Sequence, residues 1–473
     1  MPEPLETRSC YMPATRLIEL YDKKKLSPVE VTKESLARLA EVNEAVNAFC
    51  FVDEEAALSD AKDSEGRWAR GEPLGLTDGV PVSIKDIVVT KGHTVRRGSR
   101  TTPKNAPEPF DCPAVGRLRE HGSVFLGRTT TPEHGWKGLA DSPLTGITRN
   151  PWDTSKTPGG SSGGAAVSAA LGIAPLNIGT DGGGSVRIPS AFTGVFGFKA
   201  TFGRVPVYPP SAMGTLSHLG PITRTVKDAA LMMNVITRPD PRDPSALPYD
   251  PLDYQAFLNP DLTGLSIAYS PDLGYAKVDP EVANIVAGAV EILESHGATV
   301  EEITPGFSDP KQIFDAHWDL GAARLVEKVP KALRREMDPG LLRTAERGRL
   351  LTLAEHADAI DARVDLSHKM QLFHEEYDLL IMPAMPIAAF AVGQDLANPE
   401  TQNDWTEWSP FTYPFNLTGQ PACVVPCGFT RSALPVGLQI VGQRYADSLV
   451  MRTAGVFEQV QSFEMPDAPN ITH

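Results

Sequence analysis

Between Lys156 and Asp181 the chain runs for 24 residues without a charged side chain. A stretch of that length has to be buried, either in a bilayer or in a protein core. Its own residues decide which. Gly159, Gly160, Gly163, Gly164, Gly172 and Gly179, with Pro158 and Pro175, break the continuous helix a bilayer would demand. The reading that survives is a buried unit. It has a glycine–serine turn, a small-residue helix at 165–171, a strand at 173–179 and a second glycine turn at 181–185. Enclosing such a unit takes a large core, which 473 residues with 41% hydrophobic and 22% charged content can supply.

The same alternation extends on both sides. Ser27 and Glu30 have capping-box spacing, with Pro28 at the first helical position. Val31, Leu36, Leu39 and Val42 then follow at helical spacing. Strands are expected at 79–85, 123–127, 265–269, 298–303, 377–382, 422–426 and 436–441. Helices are expected at 114–120, 225–236, 280–296 and 447–461. Residues 238–262 are rich in Pro and Asp and read as a long surface connection; 308–376 read as mostly helical. The expected fold class is α/β, with a large mixed β-sheet core flanked by helices on both faces. The expected organisation is one domain over 1–473. It carries an N-terminal helical segment at about 10–70 and a helical excursion at about 306–376.

Charge and cysteine usage remove several functions. A net charge of −15 lacks the basic stripe that nucleic acid or an anionic membrane would need. Cys10, Cys50, Cys112, Cys423 and Cys427 are odd in number and far apart, so neither a disulfide framework nor a zinc ribbon is expected. Residues 1–17 lack an apolar signal core, which makes the cytoplasm the expected location. No HExxH run occurs. His368 and His374 fall on a polar helix and read as solvated side chains, so no metal and no organic cofactor is expected.

The chemistry concentrates in the two glycine turns, Gly159–Gly164 and Gly182–Ser185. Such turns present unpaired N–H groups in one direction, suited to a phosphate or to the oxyanion of a tetrahedral intermediate. Neither carries the lysine of a phosphate loop, and neither fits GxGxxG in a strand–turn–helix frame. Residues 160–164 do fit GxSxG with Ser162 as nucleophile, but 152–158 are polar where a nucleophile elbow needs a buried strand. What remains is a pair of serines without a histidine, and Lys85 at the end of an apolar strand. At a reference pKa of about 10.4 only about one lysine in a thousand is neutral at pH 7, and burial shifts it in the direction a base requires.

Three segments in order, Lys85 in SIKD, PGGSSGG at 158–164 and GTDGGGSVRIP at 179–189, resemble the amidase signature family. The likeness continues through FGFK at 196–199, NLTGQPA at 416–422 and PVGLQ at 435–439. It implies a Lys–Ser–Ser triad on Lys85, Ser161 and Ser185. Ser185 would be the acyl nucleophile and Ser161 a bridging serine after a cis peptide. It implies oxyanion donors at Gly182, Gly183, Gly184 and Ser185, with Ser162, Asp181 and Arg187 in support. The family often has Thr or Ile where Gly182 or Gly183 sits, so a roomier and more flexible turn is expected here.

The implied activity is hydrolysis of a carboxamide C–N bond, with esters or carbamates as further substrates. The expected partner is a small-molecule amide, without nucleic acid or membrane; a homodimer is left open. Two other readings stand beside it. One is the A component of a tRNA-dependent amidotransferase, whose usual Asp-Glu-Phe-Ala-Met run is replaced here by residues 131–136, TPEHGW. The other is a phosphate- or nucleotide-binding protein using its glycine turns. Finally, Trp405, Trp408, Phe411, Tyr413 and Phe415 crowd eleven residues and line either a core or an apolar pocket.

Overall fold

The computed structural model describes residues 8–259, 261–460 and 465–466. The first elements are α1 (Ala14–Asp22), α2 (Pro28–Val46), β1 (Phe49–Val52), α3 (Glu54–Arg70), β2 (Pro81–Lys85), α4 (Pro113–Glu120) and β3 (Val124–Thr129). A short hairpin of β4 (Asp141–Ser142) and β5 (Gly146–Ile147) precedes α5 (Gly163–Ala170), β6 (Leu176–Asp181) and α6 (Arg187–Thr193). Then come β7 (Phe196–Lys199), β8 (His218–Thr223), α7 (Val226–Ile236), β9 (Ser266–Tyr269), α8 (Pro280–Ser295) and β10 (Thr299–Glu302). The helical excursion holds α9 (Lys311–Glu327), α10 (Pro339–Leu350) and α11 (Leu353–Phe373). The chain returns through β11 (Leu379–Pro383), α12 (Pro414–Leu417), β12 (Ala422–Phe429), β13 (Pro435–Gly442) and α13 (Asp447–Val460).

Among the described residues eleven strands join in one sheet, ordered β1-β3-β2-β6-β8-β7-β12-β13-β11-β9-β10. Pairing is parallel across β3, β2 and β6 and again across β11, β9 and β10, and antiparallel elsewhere. This is the expected mixed α/β sheet. Its strands are apolar on both faces: along β11, Leu379 and Ile381 enter one hydrophobic cluster while Leu380 and Met382 enter the other. Period-two alternation between two cores means helices cover both sides.

The uncharged stretch folds as a buried turn, α5 and β6, and no helix among the described residues is long and apolar enough to cross a membrane. The capping box forms as read: the Glu30 N–H donates to Ser27 Oγ, and the Ser27 N–H donates to Glu30 Oε2.

Besides the β4–β5 hairpin, three strands of the main sheet depart from the reading. β1 interrupts the N-terminal helical segment and pairs antiparallel with β3. β7 and β8 lie mid-sheet, although Gly220 and Pro221 in β8 argue against a central strand. The 238–262 connection has no helix or strand among its described residues, but it is pinned to the core by Tyr254 and Leu262, both buried. Residues 1–7 of the N-terminal stretch and residue 461 of the expected last helix lie outside the described residues.

Candidate active site

β2 is buried along its whole length between β3 and β6, and it delivers Lys85 to its C-terminal end with no solvent exposure. The Lys85 Nζ meets three hydroxyls and no carboxylate, Ser161 Oγ at 2.6 Å, Thr180 Oγ1 at 2.8 Å and Ser162 Oγ at 3.0 Å; as an ammonium it donates to all three, and as a neutral amine it donates to two and turns its lone pair to the third. Burial drives its pKa well below the ordinary lysine value, and the Asp181 carboxylate only partly opposes the shift. A charge surrounded by neutral groups in a dry site is disfavoured, so the amine tends toward its neutral form.

Ser161 follows a cis Gly160–Ser161 peptide in the turn that leads into α5. Its hydroxyl accepts from Lys85, and among the described residues its own proton is donated to nothing. Ser162 differs. Its hydroxyl accepts from Lys85 and from the Thr180 N–H at 3.1 Å, and it donates to the Thr180 carbonyl at 3.0 Å. The Ser162 N–H also donates to the Ser185 carbonyl at 3.1 Å, stitching one glycine turn to the other.

The second turn leaves β6 at Asp181 and enters α6 at Arg187, both without solvent exposure. Arg187 grips Asp181 bidentately, Nε to Oδ2 and Nη2 to Oδ1, each at 2.9 Å. It also donates to the Thr412 carbonyl, Gln439 Oε1 and Asn416 Oδ1. Burial by itself would raise the Asp181 pKa; the Arg187 guanidinium overrides it and holds the carboxyl below its usual range. The carboxylate in turn accepts from the Gly184 and Val186 N–H groups at 2.8 and 3.2 Å. It therefore shapes the turn from below.

That contact corrects one expected donor. The Gly184 N–H is committed to Asp181, whereas those of Gly182, Gly183 and Ser185 have no partner among the described residues. Gly184 is needed for its backbone: φ is +126°, and a Cβ there would lie 2.4 Å from Thr412 Oγ1.

The expected room at Gly182 and Gly183 is corrected as well. A Cβ on Gly182 would meet Trp318 Cζ3 at 2.9 Å, and one on Gly183 would meet Phe314 Cζ at 2.6 Å and Trp405 Cη2 at 3.0 Å. The absent side chains have let aromatic rings close on the backbone, so the space is filled and the turn is clamped. Thr412 Oγ1 clamps it further by donating to the Gly183 carbonyl at 2.6 Å.

A buried Arg187–Asp181 pair, held by Asn416 and Gln439, thus lies as a cradle beneath a glycine turn, and two serines beside that turn meet a buried lysine. The family model for Amidase matches residues 30–451. This chain belongs to the amidase signature family. It is 36% identical over 458 residues to the acylamidase of Rhodococcus erythropolis, covering 95% of this chain and 96% of that protein. It is also 33% identical over 465 residues to the A component of the glutamyl-tRNA(Gln) amidotransferase of Chloroflexus aggregans, covering 92% and 93%. Among solved structures, a bacterial aryl acylamidase of the same family superposes with a TM-score of 0.89 at 29% identity, covering 95% of this chain and 96% of that one. As a member of the amidase signature family the protein is an amide-hydrolysing enzyme.

The structure brings Lys85, Ser161 and Ser162 into direct contact and ties Ser185 to them through the Ser162 N–H. Residues not singled out from the sequence complete the cradle. Thr180 is a third acceptor for Lys85, and Thr412, Asn416 and Gln439 hold the Arg187–Asp181 pair. Asn416 and Gln439 lie inside segments that carried the family likeness; Thr180 sits beside Asp181; Thr412 had no signal.

The five crowded aromatics are all buried in one hydrophobic cluster. Trp405 reaches Gly183, and Tyr413 stacks on Phe314 at 5.1 Å between centroids. His368 is exposed as read, but His374 is not solvated. Its ring is buried at the end of α11, where Nδ1 meets the Tyr377 carbonyl and Nε2 meets Gln420 Nε2. Among the described residues no cluster of His, Cys, Asp or Glu could hold a metal ion.

Proposed function

We propose that the enzyme cleaves carboxamides by acyl transfer to Ser185, with Lys85 as base and Ser161 as the relay between them. The observation that carries this reading is a fully buried lysine whose nitrogen meets only hydroxyls. When Lys85 is neutral, its lone pair takes the Ser161 proton and Ser161 takes that of Ser185. The Ser185 oxygen then attacks the carbonyl carbon. The oxyanion that forms is met by the N–H groups of Gly182, Gly183 and Ser185. Ser161 next gives a proton to the amide nitrogen, because an amine leaves poorly until it is protonated. Water repeats the sequence on the acyl-enzyme and releases the carboxylate. Ser162 has its proton fixed on the Thr180 carbonyl, which supports a positioning role rather than that of nucleophile.

The substrates this reading favours are amides with apolar or aryl groups, with esters and carbamates as side substrates. The support is the likeness to an acylamidase and to an aryl acylamidase over nearly the whole chain. Burying an aromatic ring is worth about 1.5–3 kcal/mol, so acetanilide or benzamide should exceed acetamide in kcat/KM by about 10- to 150-fold. A preference for acetamide would retire the assignment. The likeness to an amidotransferase component favours a second reading, in which the chain works only within a complex. Turnover of anilides by the purified chain alone separates the two.

A further inference from the structure

A cleft of about 620 Å³ opens between α9, α11, the 213–216 turn and the residues that follow α12. None of Lys85, Ser161, Ser185 or the glycine turn lines it. Its walls carry Arg324, Arg363, Arg444, His317 and His356 and no Asp or Glu, in a chain whose net charge is −15. Several buried or half-buried guanidiniums elsewhere meet acids, as in Arg187–Asp181, Arg128–Asp86 and Arg347–Asp319. Here the half-buried Arg363 donates only to the Leu417 carbonyl and Thr215, and neither it, the half-buried Arg444 nor the exposed Arg324 forms an ion pair among the described residues. Burial, and after it the nearby Arg444 charge, lowers the Arg363 pKa.

Unused polar atoms point to a ligand. Thr418, only 6% exposed, has a buried Oγ1 with no hydrogen-bond partner. His317 Nε2, His356 Nδ1 and Arg444 Nε are likewise buried without one. Buried polar groups are normally satisfied, so these atoms just behind the cleft wall leave hydrogen-bonding capacity that a small side-chain rotation would turn toward an occupant. The remaining wall is apolar, with Met213, Leu216, Leu320, Ile360 and Leu417. Guanidinium forks suit a carboxylate, and an apolar wall suits the body attached to it.

We propose that this cleft binds a small organic carboxylate on an apolar body, at a site separate from Ser185. It lies one side-chain layer behind the oxyanion turn. Trp318, next to His317 on α9, packs on Gly182, and the Leu216 carbonyl accepts from Asn416 and His218, both of which also contact the Asp181 carbonyl.

The test is calorimetric titration of the full chain with benzoate and hexanoate, alongside benzyl alcohol, hexanol and inorganic phosphate. Each titration is run on wild type, on protein with the active site blocked by a fluorophosphonate, and on Ser185→Ala. One carboxylate should bind per chain in all three forms, while the neutral isosteres fail. Arg444→Gln and Arg324→Gln, each with its fold checked by circular dichroism, should weaken binding about tenfold or more. Binding lost on blocking would place the carboxylate at Ser185 and overturn the proposal. So would equal binding of the alcohols, binding of phosphate alone, or affinities unchanged in both arginine variants.

Discussion

Gly183→Ala asks whether the aromatic rings really clamp the second glycine turn. The added Cβ would sit 2.6 Å from Phe314 Cζ and 3.0 Å from Trp405 Cη2. Carbon atoms pack at about 3.5–4.0 Å, so a gap of about 1 Å has to open. Phe314 has no solvent exposure and is stacked between Trp318 and Tyr413, at 5.2 and 5.1 Å between centroids, with Trp405 edge-on at 6.0 Å. If the rings yield, the overpacking should cost about 1–3 kcal/mol of stability. If the turn yields instead, its N–H groups move by a comparable distance, and kcat/KM for an anilide should fall by about 100-fold. Chemical unfolding and steady-state kinetics on the same preparation read both outcomes. Gly183→Ala combined with Phe314→Leu makes room for the methyl, and the two changes should show a favourable coupling of about 0.5–3 kcal/mol. If Gly183→Ala changes stability by less than about 0.5 kcal/mol, the ordinary level for innocuous sites, and leaves the rate unaltered, the clamp does not exist.

Other outcomes follow from the same geometry. Asp181→Asn leaves the fully buried Arg187 without its counter-charge and should cost about 3–5 kcal/mol of stability; a loss below about 1 kcal/mol would mean the pair is not what holds the turn. The kcat/KM profile should rise with pH through one deprotonation centred well below the ordinary lysine value, because burial depresses Lys85. A midpoint near 10.4, or the same limb surviving in Lys85→Met, would remove Lys85 as base. In the window between the depressed folded value and 10.5, the unfolded chain holds a proton on Lys85 that the folded one lacks. Wild-type stability relative to Lys85→Met should therefore increase as pH rises toward 10, by up to about 1.4 kcal/mol per unit, and a difference independent of pH would contradict the burial argument.

Local chemistry is legible where the residues that create it are close in sequence. Ser27 and Glu30 sit one helical turn apart, and their reciprocal bonds form as read. The uncharged 157–180 run had to be buried, and the two serine turns and Lys85 came from motif and spacing together. What could not be read depends on contacts across the sheet. Arg187 reaches Asn416 and Gln439 across 229 and 252 residues, so nothing in the local pattern marks that cradle. The same applies to the Gly182–Gly183 pair. Sequence shows missing side chains, and only the fold shows that rings from α9 and the 405–413 segment occupy their place. His374 defeats the pattern because helical periodicity puts it on a polar face, whereas its position at the end of α11 turns the ring inward onto Gln420.

The central claim is that Ser185, and not its neighbours in the other turn, carries the acyl group. Labelling the enzyme with a fluorophosphonate, then digesting it and locating the adduct by mass spectrometry, tests this directly. The account predicts one adduct per chain on Ser185, absent in Ser185→Ala protein that remains folded. An adduct on Ser162 or Ser161, or labelling that persists in Ser185→Ala, would contradict it.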